Sequence, residues 1–325
     1  MRFQILCLSG GGFRGLFAAE ALAGLEEAAG CGLAQCFDLI AGTSIGGIIA
    51  LGLAADVPAR RIADTVREHG QTVFSNAPAH GGGLAALLAL LGNARRARYR
   101  PEPLARLVAE LVGEQTKIGD LKRRVMIPAV NLTKGRPQVF KTPHHPTFVR
   151  DRRLSLVDVA LATSAAPTYF PLHAIGDELF ADGGLYANAP DPLALHEAEH
   201  FLGQSIDDVH MLSIGTTTTQ FSVAHAIGRD LGWLGWMTGQ RLARTMIGAQ
   251  QINAEAMLGH RLGPRYLRVD MTQSPEQAAH LGLDIATPDA AQTLAGLSEA
   301  ALREWLGRRA LTEILAYRAP EPRFS

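Results

Sequence analysis

Gly42-Thr43-Ser44-Ile45-Gly46 fits the pattern G-x-S-x-G. In that spacing, small residues on both sides of a serine let a strand turn sharply into a helix and present the hydroxyl as a nucleophile. An isolated match is more often an ordinary turn. Here the apolar stretch Phe37 to Ala41 precedes it and the helix-forming stretch Ile48 to Ala55 follows. A helix starting at that point aims its unsatisfied N–H groups and positive end at any oxyanion formed beside Ser44. Gly10-Gly11-Gly12-Phe13-Arg14-Gly15 supplies a second set of backbone donors, because glycines let successive N–H groups turn toward one anion. Gly10, Gly12 and Gly15 also satisfy G-x-G-x-x-G, so a dinucleotide-binding oxidoreductase competes. That alternative calls for an acidic residue at the end of the second strand, where Gly42-Thr43-Ser44 stand, while Asp38 lies at that strand's start. Arg14 reads either as a binder of phosphate or carboxylate or as one half of an ion pair that pins the glycine loop. Asp182-Gly183-Gly184 closes a short strand and would place a carboxylate at an edge of the sheet; alone, it is a turn aspartate.

The elements that must position these residues follow from hydrophobic patterning. A buried strand over 3–9, the glycine loop and a helix over 15–29 form one strand–loop–helix unit, and 37–55 form a second, which implies a parallel α/β sheet. Pro58 opens a helix that runs to about Phe74, and another is expected over 102–112. Strands at 124–132 and 137–141 form a hairpin through Lys134-Gly135, followed by a helix over 154–165. Short strands at 172–176 and 178–181 lead to Asp182, a helix at 191–202 and a strand at 209–214. A helical region over 223–262, a strand at 265–270 and helices over 288–318 complete the pattern. The Gly-rich and apolar stretch at about 75–100 reads as an insertion or lid, and the part from about 221 as mainly helical. No linker or repeat divides the chain, so one domain over 1–325 is expected.

Composition narrows the function. With 31 basic and 31 acidic residues the formal net charge is zero, which argues against a nucleic-acid polymer as partner. Arg95, Arg96, Arg98 and Arg100 form a small basic cluster that is either a solvated face or a site for lipid headgroups or another anion. Cys7, Cys31 and Cys36 have no C-x-x-C spacing, so neither a zinc site nor a disulfide framework is implied. No metal or cofactor is expected. The start of the chain lacks a signal-peptide pattern, and the most apolar run, 84–91, is far shorter than the roughly 20 residues that cross a bilayer. A cytoplasmic protein with peripheral contact at the inner face of the membrane is expected.

The glycine loop, G-x-S-x-G and Asp-Gly-Gly, in that order, resemble the patatin-like phospholipases. Ala162-Thr163-Ser164-Ala165-Ala166-Pro167-Thr168-Tyr169-Phe170-Pro171 and Leu212-Ser213-Ile214-Gly215-Thr216 are similar to that family too, and the likeness covers roughly residues 3–270. Ser9 departs from it, standing where many members carry aspartate. The resemblance implies a three-layer fold with a mainly parallel central sheet flanked by helices, and a lipid acyl hydrolase with Ser44 as nucleophile and Asp182 as base. It places the oxyanion hole in the loop of Gly10, Gly11, Gly12 and Arg14, with Gly42, Gly46, Gly183 and Gly184 as support. Partial burial should raise the pKa of Asp182 so that it works as a base near neutrality. A Ser-His-Asp esterase remains the rival within the enzymes, with His196, His200, His210, His225, His260 and His280 late in the chain. A binding module that keeps only the fold is the non-enzymatic alternative. Leu231-Gly232-Trp233-Leu234-Gly235-Trp236 and Arg265-Tyr266-Leu267-Arg268-Val269-Asp270 further resemble a bacterial subgroup that includes phospholipase effectors of cyclic-oligonucleotide antiphage systems. That likeness implies a cyclic dinucleotide activator and a membrane phospholipid substrate. The run at 84–91 and the pair Trp233 and Trp236 are candidate bilayer contacts.

Overall fold

The computed structural model describes residues 2–74, 96–218, 222–223, 225–232, 235–236 and 241–324. The expected run at 84–91, most of the expected insertion, Arg95 and Trp233 lie outside these residues. Eight strands form one sheet: β1 (Phe3–Leu8), β2 (Leu39–Gly42), β3 (Arg124–Asn131), β4 (Arg136–Lys141), β5 (His173–Ile175), β6 (Glu178–Asp182), β7 (Val209–Ile214) and β8 (Tyr266–Val269). The order is β5-β6-β3-β2-β1-β7-β8, with β4 paired to β3. β3, β2, β1, β7 and β8 run parallel, while the β3 pairings to β4 and β6 and the β5–β6 pairing are antiparallel.

The helices are α1 (Gly15–Ala29), α2 (Ile45–Ala54), α3 (Ala59–Val73), α4 (Glu102–Val112), α5 (Leu156–Thr163), α6 (Gly184–Ala187), α7 (Asp191–His196), α8 (Arg241–Leu262), α9 (Pro275–His280), α10 (Pro288–Trp305) and α11 (Arg309–Ala316). β1 is buried along its whole length, so alternate side chains enter two cores. Leu6 and Leu8 join the core built with α1–α5, α10 and α11, whereas Phe3, Ile5 and Cys7 join the one built with α7 and α8. Each large aliphatic side chain so buried contributes about 1.5–3 kcal/mol of transfer free energy. The result is the helix–sheet–helix layering expected.

Two local expectations are corrected. The helix begun at Asp191 loosens into a π-helical turn over Glu197–Phe201. Within the region from 223, the described residues include a 3-10 turn at His225–Ile227 and a helix over Arg241–Leu262. Asp182 is not at an edge of the sheet, because β6 lies between β3 and β5.

That last placement positions the site. A strand has two hydrogen-bonding edges, and β4 occupies one edge of β3 from Met126 to Asn131. β2 pairs with β3 up to Ala41 opposite Met126, and β6 pairs with it from Asn131 down to Ala129, opposite Asp182. Both must use the remaining edge, and they approach each other head-on. The residues that follow β2 and those that end β6 therefore meet beside Pro128.

Candidate active site

Ser44 stands in the turn between β2 and α2 as the N-cap of α2, with φ 56° and ψ −126°. A residue other than glycine rarely adopts such a backbone, and holding it there costs of the order of 1–3 kcal/mol. The surroundings enforce it. A Cβ on Gly46 would collide with the carbonyl oxygens of Leu8 and Ser9, and one on Gly42 with the Gly46 carbonyl. Only glycine at those two positions lets the turn press against β1. The Ser44 N–H donates to Thr163 Oγ1 at 3.0 Å, and the Thr163 hydroxyl donates to the Pro128 carbonyl at 2.6 Å. Thr163 thus fills the gap between the two converging strands.

Across that gap the Ser44 hydroxyl stands near enough to the carboxylate of Asp182 to favour its charged form. Asp182 is 5% exposed. Burial pushes its pKa up to about 6, opposed by hydrogen bonds from the Gly184 N–H and from Ser44. The Gly184 N–H reaches Asp182 Oδ1 at 2.6 Å. Gly183 packs against the Pro128 carbonyl, where a side chain would not fit. Ser44 and Asp182 lie on a cavity of about 390 Å³ whose walls are largely apolar, including Ile48, Leu107 and Phe170. A hydroxyl hydrogen-bonded to a carboxylate of raised pKa can pass on its proton as it attacks a carbonyl carbon.

The glycine loop faces the same cavity through Gly11 and Gly12. The Gly10 N–H is taken by the Asn188 carbonyl at 2.9 Å and the Phe13 N–H by that of Leu283 at 2.8 Å, leaving Gly11 and Gly12 without acceptors among the described residues. Gly12 needs to be glycine, with φ +57° and the Leu283 carbonyl where a side chain would stand. Arg14 donates its backbone N–H to Gly11. Its side chain is 9% exposed, and Nε is buried without a partner. Burial pulls its pKa down to about 10, with Asp270 raising it and Arg244 lowering it further. No carboxylate lies within 4 Å of this side chain among the described residues, and Asp270 acts on it from further away.

No histidine is among the described residues that line the cavity, so these residues offer no imidazole to a Ser-His-Asp arrangement. His196, His200, His225, His260 and His280 are exposed, His210 is half-buried in β7, and buried His144, just past the end of β4, is held by Thr142 and by Glu197, just past the end of α7. Arg98, from the basic cluster, is bound by Asp284 at 2.5 Å. Cys31 and Cys36, unpaired by spacing, stand with their Sγ atoms 3.9 Å apart as free thiols.

The sequence signature described as patatin-like phospholipase matches residues 6–195. The chain belongs to the patatin-like phospholipase family. It is 41% identical over 324 residues to a cGAMP-activated phospholipase of Pseudomonas aeruginosa, covering 99% of this chain and 94% of that one. Identity to the cGAMP-activated phospholipase of Vibrio cholerae is 38%, covering 99% and 96%. For the protein of that description in Escherichia coli it is 38%, covering 90% and 86%. Family membership removes the dinucleotide-dependent oxidoreductase as the use of the glycine loop.

Several residues of the site carried no assignment in the sequence. Thr163 and Thr216 lie within stretches that resemble the family, and Thr216 Oγ1 donates to the Gly10 carbonyl at 3.1 Å. Asn188 holds the glycine loop from the other side, with Nδ2 donating to the Gly10 carbonyl at 3.2 Å. Ser9 Oγ, at the position that departs from the family, accepts a hydrogen bond from Arg268 at 3.0 Å. Gln250 of α8 had no local signal at all.

Proposed function

We propose that this protein hydrolyses fatty-acyl esters of membrane phospholipids through a Ser44–Asp182 dyad. The observation that carries this reading is the placement of Ser44 beside the buried Asp182 carboxylate on one apolar cavity. Ser44 Oγ attacks the ester carbonyl carbon while its proton moves to Asp182. The oxyanion of the tetrahedral intermediate accepts hydrogen bonds from the Gly11 and Gly12 N–H groups. Collapse expels the lysolipid alkoxide, which takes the proton from Asp182. Water then attacks the acyl-enzyme, giving its proton to Asp182, and the fatty acid leaves as Ser44 is reprotonated. Gly10, with its N–H already used, supports the hole rather than filling it.

Two features favour a phospholipid at a membrane surface as substrate. Arg14, which adjoins Gly11, Gly12 and Phe13 of the cavity wall without itself lining the cavity, is a buried cation whose Nε has no partner among the described residues, so an anionic group such as the phosphodiester held near that wall would favour its charge. The cavity rim carries Leu185, Trp236, Leu242 and Met246, each 37–45% exposed, an apolar edge suited to a bilayer. No described helix is long and apolar enough to cross a membrane. The near full-length likeness to phospholipases named as cGAMP-activated supports control by a cyclic dinucleotide, acting on a single hydrolase domain. The test is fatty-acid release from phosphatidylethanolamine and phosphatidylglycerol vesicles by wild type and Ser44→Ala, with and without cGAMP. Release by wild type alone, dependent on cGAMP, is expected. Equal release by Ser44→Ala would refute the dyad, and cGAMP-independent release would refute the control.

A further inference from the structure

Gln250 touches neither Ser44 nor the cavity surface, yet its side chain is joined to the loop that carries the base. Its Oε1 accepts a hydrogen bond from the Asn188 N–H at 3.0 Å. Its Nε2 lies 3.3 Å from the Gly184 carbonyl and 3.4 Å from that of Leu185. The two residues it holds each act on the dyad. Gly184 donates to Asp182 Oδ1, and Asn188 exchanges hydrogen bonds with both the N–H and the carbonyl of Gly10. One side chain therefore fixes the turn behind the base and, through Asn188, the glycine loop.

The helix that presents Gln250 is seated unevenly. In α8 the buried residues are Gly248, Gln251, Ala254, Leu258 and Leu262, so the first two turns, from Arg241 to Ile247, place nothing in a core. What those turns do is wall the cavity, through Leu242, Ala243, Met246 and Ile247. Half-buried or exposed throughout, they rest against the cavity rather than on a core beneath them. Gln250, one turn further on, is where that position first reaches the catalytic loops; the Gln251 bond to Asp270 at 3.3 Å follows it.

We propose that Gln250 is a positioning residue, through which the seat of α8 at the cavity mouth sets the geometry of the Asp182 turn and the glycine loop. A substrate or membrane that settles the first turns of α8 thereby completes the catalytic geometry. This rests on the Ser44–Asp182 reading above. Loss of the side chain's bonds should loosen Gly184, remove its N–H from the Asp182 carboxylate and make that carboxylate easier to protonate.

The test compares wild type, Gln250→Met, Gln250→Glu and Ser44→Ala in hydrolysis of a p-nitrophenyl fatty-acid ester between pH 5 and 9 with cGAMP present. The rate of Ser44 labelling by a fluorophosphonate is followed in parallel. Gln250→Met keeps the length and removes both kinds of hydrogen bond. It should lower kcat about tenfold, leave KM within twofold, and move the acid limb of the profile upward by about half a pH unit or more. Gln250→Glu keeps an acceptor for Asn188 and sets a carboxylate against the Gly184 and Leu185 carbonyls; its limb should move further. Melting temperatures of all variants guard against general unfolding. A purely structural role would lower the melting temperature and the active fraction without moving the limb. If Ser44→Ala is unlabelled and both Gln250 variants keep the wild-type kcat and limb, the positioning role is overturned while the dyad stands. If Ser44→Ala is hydrolytically active or labelled like wild type, the dyad falls, and this role with it.

Discussion

The Ser44 hydroxyl meets the Asp182 carboxylate without an imidazole between them, because β2 and β6 share one edge of β3 and end against each other. A carboxylate of ordinary pKa is a weak base at neutral pH, and here desolvation raises Asp182 to about 6. The base form is needed, so activity should rise with pH through about 6 and reach a plateau above 7. Below the midpoint it should fall about tenfold per pH unit. A pH–kcat/KM profile checks this; a midpoint near pH 4 would mean that the carboxylate is not held in the buried environment described.

The same shift has a consequence for stability, of opposite sign. A group whose folded pKa lies above its unfolded value contributes stability that is fully present below the unfolded value, and loses it as pH rises through the folded one. For Asp182 those values are 3.8 and about 6. Above pH 6 the folded state therefore holds a charge that water solvates better, at a cost of about 3 kcal/mol. Asp182→Asn stays neutral and can still accept from Gly184. It should be inactive yet more stable than wild type at pH 8, with the difference vanishing below pH 4. Urea melts at the two pH values measure it.

Arg14→Met tests whether this cation favours the phosphodiester of the proposed substrate. Arg14 is buried, its Nε lacks a partner among the described residues, and burial lowers its pKa by more than Asp270 raises it, so Arg14→Met should not lower the melting temperature. It should raise KM for phospholipid about tenfold, the effect of about 1.4 kcal/mol, and leave hydrolysis of an uncharged p-nitrophenyl ester within twofold. An equal loss on both substrates would place Arg14 in loop support rather than anion binding.

Much of the scaffold was legible because its signals are local. The helix over 15–29 ends at Gly30, whose φ of +64° provides the left-handed cap, and the helix over 102–112 has Pro103 in its first turn. Ser44 was legible from glycines that must be small for the turn to pack. Asp182 was different. As a residue in an Asp-Gly turn it was recognised only through the family likeness, and its place in the sheet was misjudged, because two strands sharing one edge of a third is a long-range arrangement. Whether Arg14 has an ion-pair partner, and that Gln250 reaches the Asp182 turn, depend on tertiary contacts that no local pattern encodes.

The backbone at Ser44 offers a test of the turn independent of catalysis. Its φ of 56° with ψ −126° is costly for any side chain with a Cβ and easy for glycine. Ser44→Ala and Ser44→Gly both remove the nucleophile and both leave Thr163 Oγ1 as acceptor for the N–H at residue 44. They differ in the Cβ alone. Glycine has greater freedom in the unfolded chain, which costs up to about 1 kcal/mol, while relief of the strain returns about 1–3 kcal/mol. Ser44→Gly should therefore be the more stable of the two by about 1 kcal/mol in urea unfolding at pH 8. If Ser44→Ala is the more stable, the turn relaxes without the serine, and the strain belongs to the side chain's hydrogen bond with Asp182 rather than to the packing of Gly42 and Gly46 against their neighbours.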